Sequence, residues 1–430
     1  MQHTPFWWED AGVPTPLPDQ PALPNEADVV IVGAGLTGLS AARTLARAGR
    51  SVLVLDRGAP GIGASSRNGG QVGGGHRLHP SVLDAQYGRD LATRLLHEAH
   101  IDSVDFFNAL IASEGIDCDW EACGRFRGNW TAAEYDAGAR DLDALRKRIP
   151  LTAYAVPRDQ QHTEISTELY AGGTVFPTHG AINPAKYTRG LLDAACRAGA
   201  RVIGDTEVHR IETGSLDRVH TAKGTVSCGS VLIATNGYTG PATPALRRRI
   251  VPVPSFIVAT DVLGENRVRA LMPARRVYVE SRVRHCYFRP SPDGQRLVFG
   301  GRAALFPVSE AIAQSQLSRL IADVFPELAD TPLTHSWRGF TGFSFAQLPH
   351  VGQVDGLHLA MGYSGNGNTM APYLGHKAAL QILGDPEGDT AFSHTRFEGR
   401  LWHRGAPWFM PAADAWFRVR DVWDRVRHSR

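Results

Sequence analysis

Apolar positions along the chain fall into two alternating kinds of run. Asp28-Val29-Val30-Ile31-Val32 is a short β-branched run that ends on a glycine, the pattern of a strand buried on both faces. Leu36, Leu39, Ala42, Leu45 and Ala46 then recur at helical spacing, and Gly49 stands where a C-terminal cap is favoured. A second strand is expected over residues 51–55, ending at Asp56. From about residue 81 to 147 the spacing is helical, as in Leu91, Leu95, Ile101, Val104, Phe107 and Leu110, and reads as an inserted or second domain. A helix over 184–198 leads to strands at 201–203 and 226–235. Residues 286–289 and 297–299 flank Ser291-Pro292-Asp293-Gly294, a hairpin signal that implies an antiparallel sheet. The last expected helix covers 373–383. Residues 1–26 hold six prolines together with Phe6, Trp7 and Trp8, and read as an extended arm rather than a helix.

Composition narrows the classes. A chain of 430 residues suggests two or three packed units, and 43% hydrophobic against 20% charged residues is a globular balance. With 45 basic and 43 acidic residues there is no global field for nucleic acid, so the expected partner is a small molecule. Five scattered cysteines fit a reducing compartment, and the N-terminus reads as neither a secretory signal nor a membrane anchor, so a cytoplasmic location is expected. No metal site is expected: Cys118 and Cys123 lack a second pair, and His76 and His79 lack a companion carboxylate motif. Near the C-terminus Trp416, Val419, Trp423 and Val426 fall at helical spacing among Arg418, Arg420, Arg425 and Arg427. Such a basic amphipathic helix could make peripheral contact with a membrane surface, although the plainer reading is that its tryptophans clamp the tail onto the body. The oligomeric state is not legible.

The strongest chemical signal is Gly33-Ala34-Gly35-Leu36-Thr37-Gly38. The first glycine permits the tight turn, the second admits a pyrophosphate, and the third lets helix and strand approach closely. Three glycines alone would be weak evidence. Here they follow a β-branched strand, open a helix, and precede by 23 residues Asp56, a carboxylate placed to accept from ribose hydroxyls. The motif does not separate FAD from a nicotinamide dinucleotide. Downstream, residues 61–71 are dense in backbone donors, hydroxyls and one guanidinium, which suits a large anionic cofactor, although a flexible surface loop has the same composition.

Five further runs occur in order after the fingerprint: GASSRNGGQ at 63–71, GAINPAK at 180–186, VLIATNGY at 231–238, YFRPSPDGQRLVFGG from Tyr287, and Gly362-Tyr363-Ser364-Gly365-Asn366-Gly367. Together they resemble the D-amino-acid-oxidase-like FAD-dependent oxidoreductases, in particular the gamma-glutamylputrescine oxidoreductase branch. The resemblance implies an α/β, two-domain fold: a Rossmann-like FAD-binding domain of the glutathione-reductase type, interleaved with an antiparallel-sheet substrate domain. The expected division is an arm at 1–26, an FAD-binding domain at 27–80, 150–250 and 340–390, a substrate domain at 81–149 and 251–339, and a tail at 391–430. It also implies roles by position. Gly33, Ala34, Gly35, Leu36, Thr37 and Gly38 would meet the pyrophosphate, Asp56 and Arg57 would flank the adenosine, and Val208 would supply an adenine contact. Ser65, Ser66, Arg67, Asn68, Gly69 and Gln71 would run along the flavin side, with Gly365, Asn366, Gly367 and Asn368 at the edge of the ring. Tyr287, Arg302, Trp337 and His179 would contact substrate.

In the family the chemistry is removal of hydride from a carbon beside an amine nitrogen, giving an imine that water hydrolyses, with the flavin reoxidised by oxygen or another acceptor. Orientation matters there more than a nucleophile. Two departures are visible. No cysteine follows Cys286, so FAD is expected to be noncovalent, and residues 297–302 hold no lysine of the kind that activates oxygen in some relatives. A pyridine-nucleotide dehydrogenase and a noncatalytic flavin-binding subunit remain as alternatives.

Overall fold

The computed structural model describes residues 1–18, 20, 22–282, 285–417 and 419. The strand Glu26–Val32 lies at the centre of an eight-stranded sheet, hydrogen-bonded in parallel to Val52–Leu55 on one side and Gly224–Ile233 on the other. Arg201–Ile203 extends it beyond Val52–Leu55, and Leu357–Met361 adds in parallel to Gly224–Ile233. The run Val29, Val30 and Ile31 is fully buried, as its unbroken apolar character requires. The helix Leu36–Arg47 follows directly and packs on Gly367–Leu383, where a Cβ on Gly375 would stand 2.3 Å from the Thr37 carbonyl oxygen. Only a glycine permits that approach. Ser40 Oγ donates to Pro372 O at 2.7 Å across the same contact, so the N-terminal ends of the two helices are held side by side.

A second eight-stranded sheet runs in the order Leu333–Ser344, Ile250–Thr260, Leu297–Gly301, Cys286–Pro290, Val277–Glu280, Arg125–Gly128, Gly172–Phe176, Tyr154–Pro157. One of its faces packs with the helix Glu310–Val324 into an aromatic core containing Phe126, Tyr278, Phe288, Phe299 and Phe325. Ser309 starts that helix, its side chain accepting from the amide of Ile312. The hairpin closes at the expected turn: Gly294 has φ of 70° and its amide donates to Ser291 O at 2.8 Å.

The structure departs from the expectations in four places. Residues 81–147 are not wholly helical, because Arg125–Gly128 joins the second sheet as a strand; four residues with one apolar side chain show no alternation that sequence reasoning can register. Tyr154–Pro157 and Gly172–Phe176, grouped by sequence with the dinucleotide half, also hydrogen-bond into that sheet. The final helix begins at Gly367 rather than at the expected 373, with Pro372 inside it, where the proline's carbonyl accepts from Ser40 Oγ. The arm contains one helical turn, Trp8–Ala11. Among the described residues no helix is long and apolar enough to cross a membrane. Trp416 and Val419 are exposed, while Arg418, Arg420, Trp423, Arg425, Val426 and Arg427 lie outside the described residues.

Candidate active site at the seam between the sheets

The glycine loop is built as its sequence demands. Gly33 has φ of 108°, and a Cβ there would lie 2.9 Å from Ala234 O. A Cβ on Gly38 would lie 2.0 Å from Gly33 O, so the close crossing of strand and helix needs hydrogen there. Gly35, at the N-cap of the helix Leu36–Arg47, supplies no capping side chain of its own, so the helix opens on backbone amides. Asp56 Oδ2 accepts from Ala34 N at 2.8 Å and Oδ1 from Gly58 N at 3.0 Å. Burial pushes this carboxyl above the usual range while the two amides oppose the shift. Each oxygen keeps a further lone pair for a hydroxyl. Nearby, Thr206 N donates to Asp56 O at 2.7 Å, and Val208 is buried two residues on; Arg57 is exposed, its guanidinium 5.5 Å from the centre of the Tyr238 ring.

The segment 63–71 joins this loop to the second sheet. Ser65 Oγ accepts from Leu36 N at 3.1 Å, and Ser66 Oγ donates to Gly61 O at 2.8 Å. Arg67 Nε donates to Ile62 O at 2.7 Å, its guanidinium lying over the Trp8 ring at 4.6 Å. Asn68 Oδ1 accepts from Gly70 N and from Asn368 Nδ2, both at 2.9 Å, and Gln71 Nε2 reaches Tyr278 O at 3.1 Å. The arm clamps the outside: Trp7 Nε1 donates to Asn68 O at 2.7 Å.

Among the four expected substrate contacts, Tyr287 is the most constrained. Cβ atoms on Gly69 and Gly300 would stand 2.6 Å and 2.3 Å from its ring, so the ring fills a slot between two glycines, one from each half of the molecule. Its hydroxyl lies 2.8 Å from Ser255 Oγ, and burial pushes its pKa up to about 12, leaving it a neutral hydrogen-bonding group. His179 stacks on Phe176, accepts from Gly74 N through Nε2 at 3.2 Å, and is held well below the usual histidine range by burial and then by Arg125 and His100. Arg302 packs over the Phe343 ring at 5.4 Å. Trp337 is fully buried and donates its indole N–H to Arg67 O at 2.8 Å, so it supports the 63–71 segment from behind.

The C-terminal motif closes the seam. Gly362 N donates to Asn236 Oδ1 at 3.0 Å, Gly365 has φ of 112°, and Asn366 Nδ2 donates to Gly75 O. Sequence reasoning missed three arginines here. Arg77 Nε donates to Ser364 O at 2.6 Å and its guanidinium lies 5.2 Å from the centre of Phe343, the ring that Arg302 also covers. Arg125 and Arg127 alternate with core-facing Phe126 and so share the Tyr287 face. The Arg-x-Arg spacing was the available signal, and it means nothing until the segment is known to be a strand.

A dinucleotide loop of this kind, joined at a glycine-lined seam to a sheet carrying tyrosine and arginine, defines a two-domain oxidoreductase that uses a dinucleotide cofactor. The sequence profile of the DAO family, described as FAD dependent oxidoreductase, matches residues 28–380, and the chain belongs to that family. It is 32% identical over 425 residues to "Probable oxidoreductase OrdL" of Rhizobium meliloti (strain 1021), covering 97% of each chain. It is 30% identical over 387 residues to gamma-glutamylputrescine oxidoreductase of Escherichia coli (strain K12), covering 85% of this chain and 86% of that one. The crystal structure of glycine oxidase from Geobacillus kaustophilus shares the fold, with a TM-score of 0.71 at 23% identity over 88% of this chain and 99% of that one. The chain is thus an FAD-dependent oxidoreductase. The residues present fit that cofactor. The glycine cradle admits no Cβ, and Asn368 Oδ1, at the N-terminus of the final helix, is buried without a hydrogen-bond partner among the described residues.

Proposed function

We propose that this chain oxidises an amine at the carbon bearing nitrogen. A C–H bond breaks with its electron pair, the nitrogen lone pair forms the C=N bond, and water then hydrolyses the imine. Bound FAD supplies the two-electron acceptor. Gly33, Gly35 and the amides opening Leu36–Arg47 would hold its diphosphate, Asp56 and Val208 its adenosine, and Asn68, Gln71 and Asn368 the edge of its ring.

The slot that fixes Tyr287 between Gly69 and Gly300 carries this reading. It sets a rigid hydrogen-bonding ring on the sheet face opposite the 63–71 segment, where a substrate would be oriented. The groups there orient and exclude water without supplying a strong base: Tyr287 stays protonated and His179 is engaged with Gly74. FAD is proposed to be held noncovalently. Cys286, the last cysteine in the chain, is buried on the opposite, core face of the sheet, with Arg282 Nη2 at 3.8 Å from its sulfur.

The test is anaerobic addition of primary and secondary amines to the FAD-loaded protein, watched by loss of flavin absorbance, followed by oxygen and peroxide detection. Bleaching by an amine is expected, and a yellow protein that no amine bleaches would refute the reading. Peroxide on admitting oxygen identifies an oxidase, and its absence a dehydrogenase.

A further inference from the structure

Several other enclosed arginines of this molecule meet carboxylates. Arg276 meets Glu164 at 2.5 Å, Arg282 meets Glu280 at 2.5 Å, and Arg148 meets Asp84 at 2.7 Å. Arg289, which has no carboxylate, donates instead to the carbonyls of Gly70, Ile182 and Pro290. Arg77, Arg125 and Arg127 break that pattern. Among the described residues none of them has a carboxylate within 4.0 Å, and Arg125 Nε is buried without a partner. Arg77 and Arg127 remain accessible to water although protein surrounds them on nearly every side, so they line an internal recess. That recess lies on the Tyr287 face of the second sheet and beside Ser364.

Glu134 and Asp141 attract Arg127 from beyond 4.0 Å, whereas among the described residues no carboxylate acts on Arg77 or Arg125. His76, His100 and His179 are kept neutral by burial, and His100 and His179 feel Arg125 as well. Burial and the charges of Arg302 and Arg127 pull Arg77 down to about 9, which still leaves it a cation at neutral pH. Guanidinium groups do not escape by deprotonation, and three gathered around one recess repel one another and attract an anion into it. An anionic group on a ligand would balance them. The cofactor's diphosphate belongs to the Gly33–Gly38 loop, and one carboxylate satisfies a single guanidinium fork.

We propose that the amine substrate carries a doubly negative oxyanion head, a phosphonate or a pair of carboxylates, bound by Arg77, Arg125 and Arg127. The inference rests on the amine reading and deepens it. The test uses the FAD-loaded full chain in two arms. In the first, flavin bleaching is compared for propylamine, 3-aminopropanoate, 2-aminoethylphosphonate and iminodiacetate. One of the last two is expected to exceed the first two in kcat/KM by roughly 30-fold or more, and to identify which head the recess takes. In the second, methylphosphonate and malonate, which have no amine to oxidise, are titrated calorimetrically. One is expected to bind, and Arg127→Gln and Arg77→Gln are each expected to weaken it roughly 30-fold, so either variant suffices if the other does not fold. Bleaching by propylamine as efficient as by the dianionic amines, with neither anion bound, overturns the inference and leaves the amine reading standing. Bleaching by no amine removes the amine reading and this inference together.

Discussion

Two cross-strand rows of the second sheet, one residue apart in register, have opposite roles. The first runs Val175, Phe126, Tyr278, Phe288, Phe299, Val258. Its rings stack, with Tyr278 and Phe288 centres 5.2 Å apart and Phe288 and Phe299 5.3 Å apart, and every member is buried. The second runs Thr174, Arg127, Val279, Tyr287, Gly300, Ile257, Trp337. Its last members are sealed by Trp7 and Trp8 of the arm, and its middle carries the guanidinium, the phenol and the glycine slot. Because side chains alternate, one strand set supplies both a rigid core and a polar working face, and a slip of one residue would exchange them. The first row is the packed core, and the second is the row to which the proposed chemistry is assigned. The strongest challenge to that division is Phe288→Ala. Losing a ring stacked on both sides and packed edge-on to Phe325 is expected to cost roughly 3–5 kcal/mol, read as a lower urea midpoint. A midpoint unchanged from wild type would show that the aromatic row is not the core.

The second row is expected to respond in another way. Gly300→Ala places a methyl 2.3 Å from the Tyr287 ring and must push it out of its slot. A loss of about 1–3 kcal/mol from overpacking is expected, with a larger proportional fall in the rate of flavin reduction. A variant that loses stability but reduces at the wild-type rate would detach Tyr287 from the chemistry. The recess beside this row predicts a pH effect of similar size. Burial lowers His76 to about 4 and His100 to about 3, from 6.5, with His76 and Arg125 adding to the shift at His100. Between pH 6.5 and those values the unfolded chain binds more protons than the folded one, so stability is complete above pH 6.5 and falls as pH drops through that window. Each histidine contributes up to about 1.4 kcal/mol per pH unit. Urea midpoints at pH 7 and pH 5 measure it, and His100→Gln should flatten the slope. A midpoint that rises on acidification would contradict the assignment.

How much of this was legible depended on whether the signal was local. The strand Glu26–Val32, the glycine turn and the helix Leu36–Arg47 are specified by neighbouring residues, and the hairpin around Gly294 likewise. Asn183 was met as part of a motif, and the structure shows its local reason: its side chain caps Pro184–Arg197 by accepting from Ala185 and Lys186. What escaped was nonlocal. Arg125–Gly128 becomes a strand only because Val277–Glu280 and Gly172–Phe176 stand on either side of it, so Arg125 and Arg127 could not be assigned a face. Arg77 enters the site through a bond to Ser364, 287 positions away in the chain. Trp337 was read as a substrate contact from its place in the sequence, yet its orientation is set by Arg67, Ile257 and the arm.

The smallest predicted effect separates the two rows most cleanly, because it makes the same chemical change in each. Tyr278 and Tyr287 each use their hydroxyl once as a close partner, Tyr278 donating to Glu164 O at 2.7 Å and Tyr287 lying 2.8 Å from Ser255 Oγ. Replacing either with phenylalanine keeps the ring and removes one close hydrogen bond, and at Tyr278 also a longer one accepted from Arg276 N at 3.4 Å, a loss of about 1 kcal/mol in stability. Tyr278→Phe should show that loss alone: its ring still stacks on Phe288 within the packed core. Tyr287→Phe should match it in the urea midpoint and in addition slow anaerobic flavin reduction, since its phenol faces the space proposed for the substrate. Stopped-flow reduction of the two variants side by side provides the measurement. If Tyr278→Phe slows reduction as much as Tyr287→Phe, the rows are not independent, and the chemistry depends on the rigidity of the whole sheet rather than on the face that carries it.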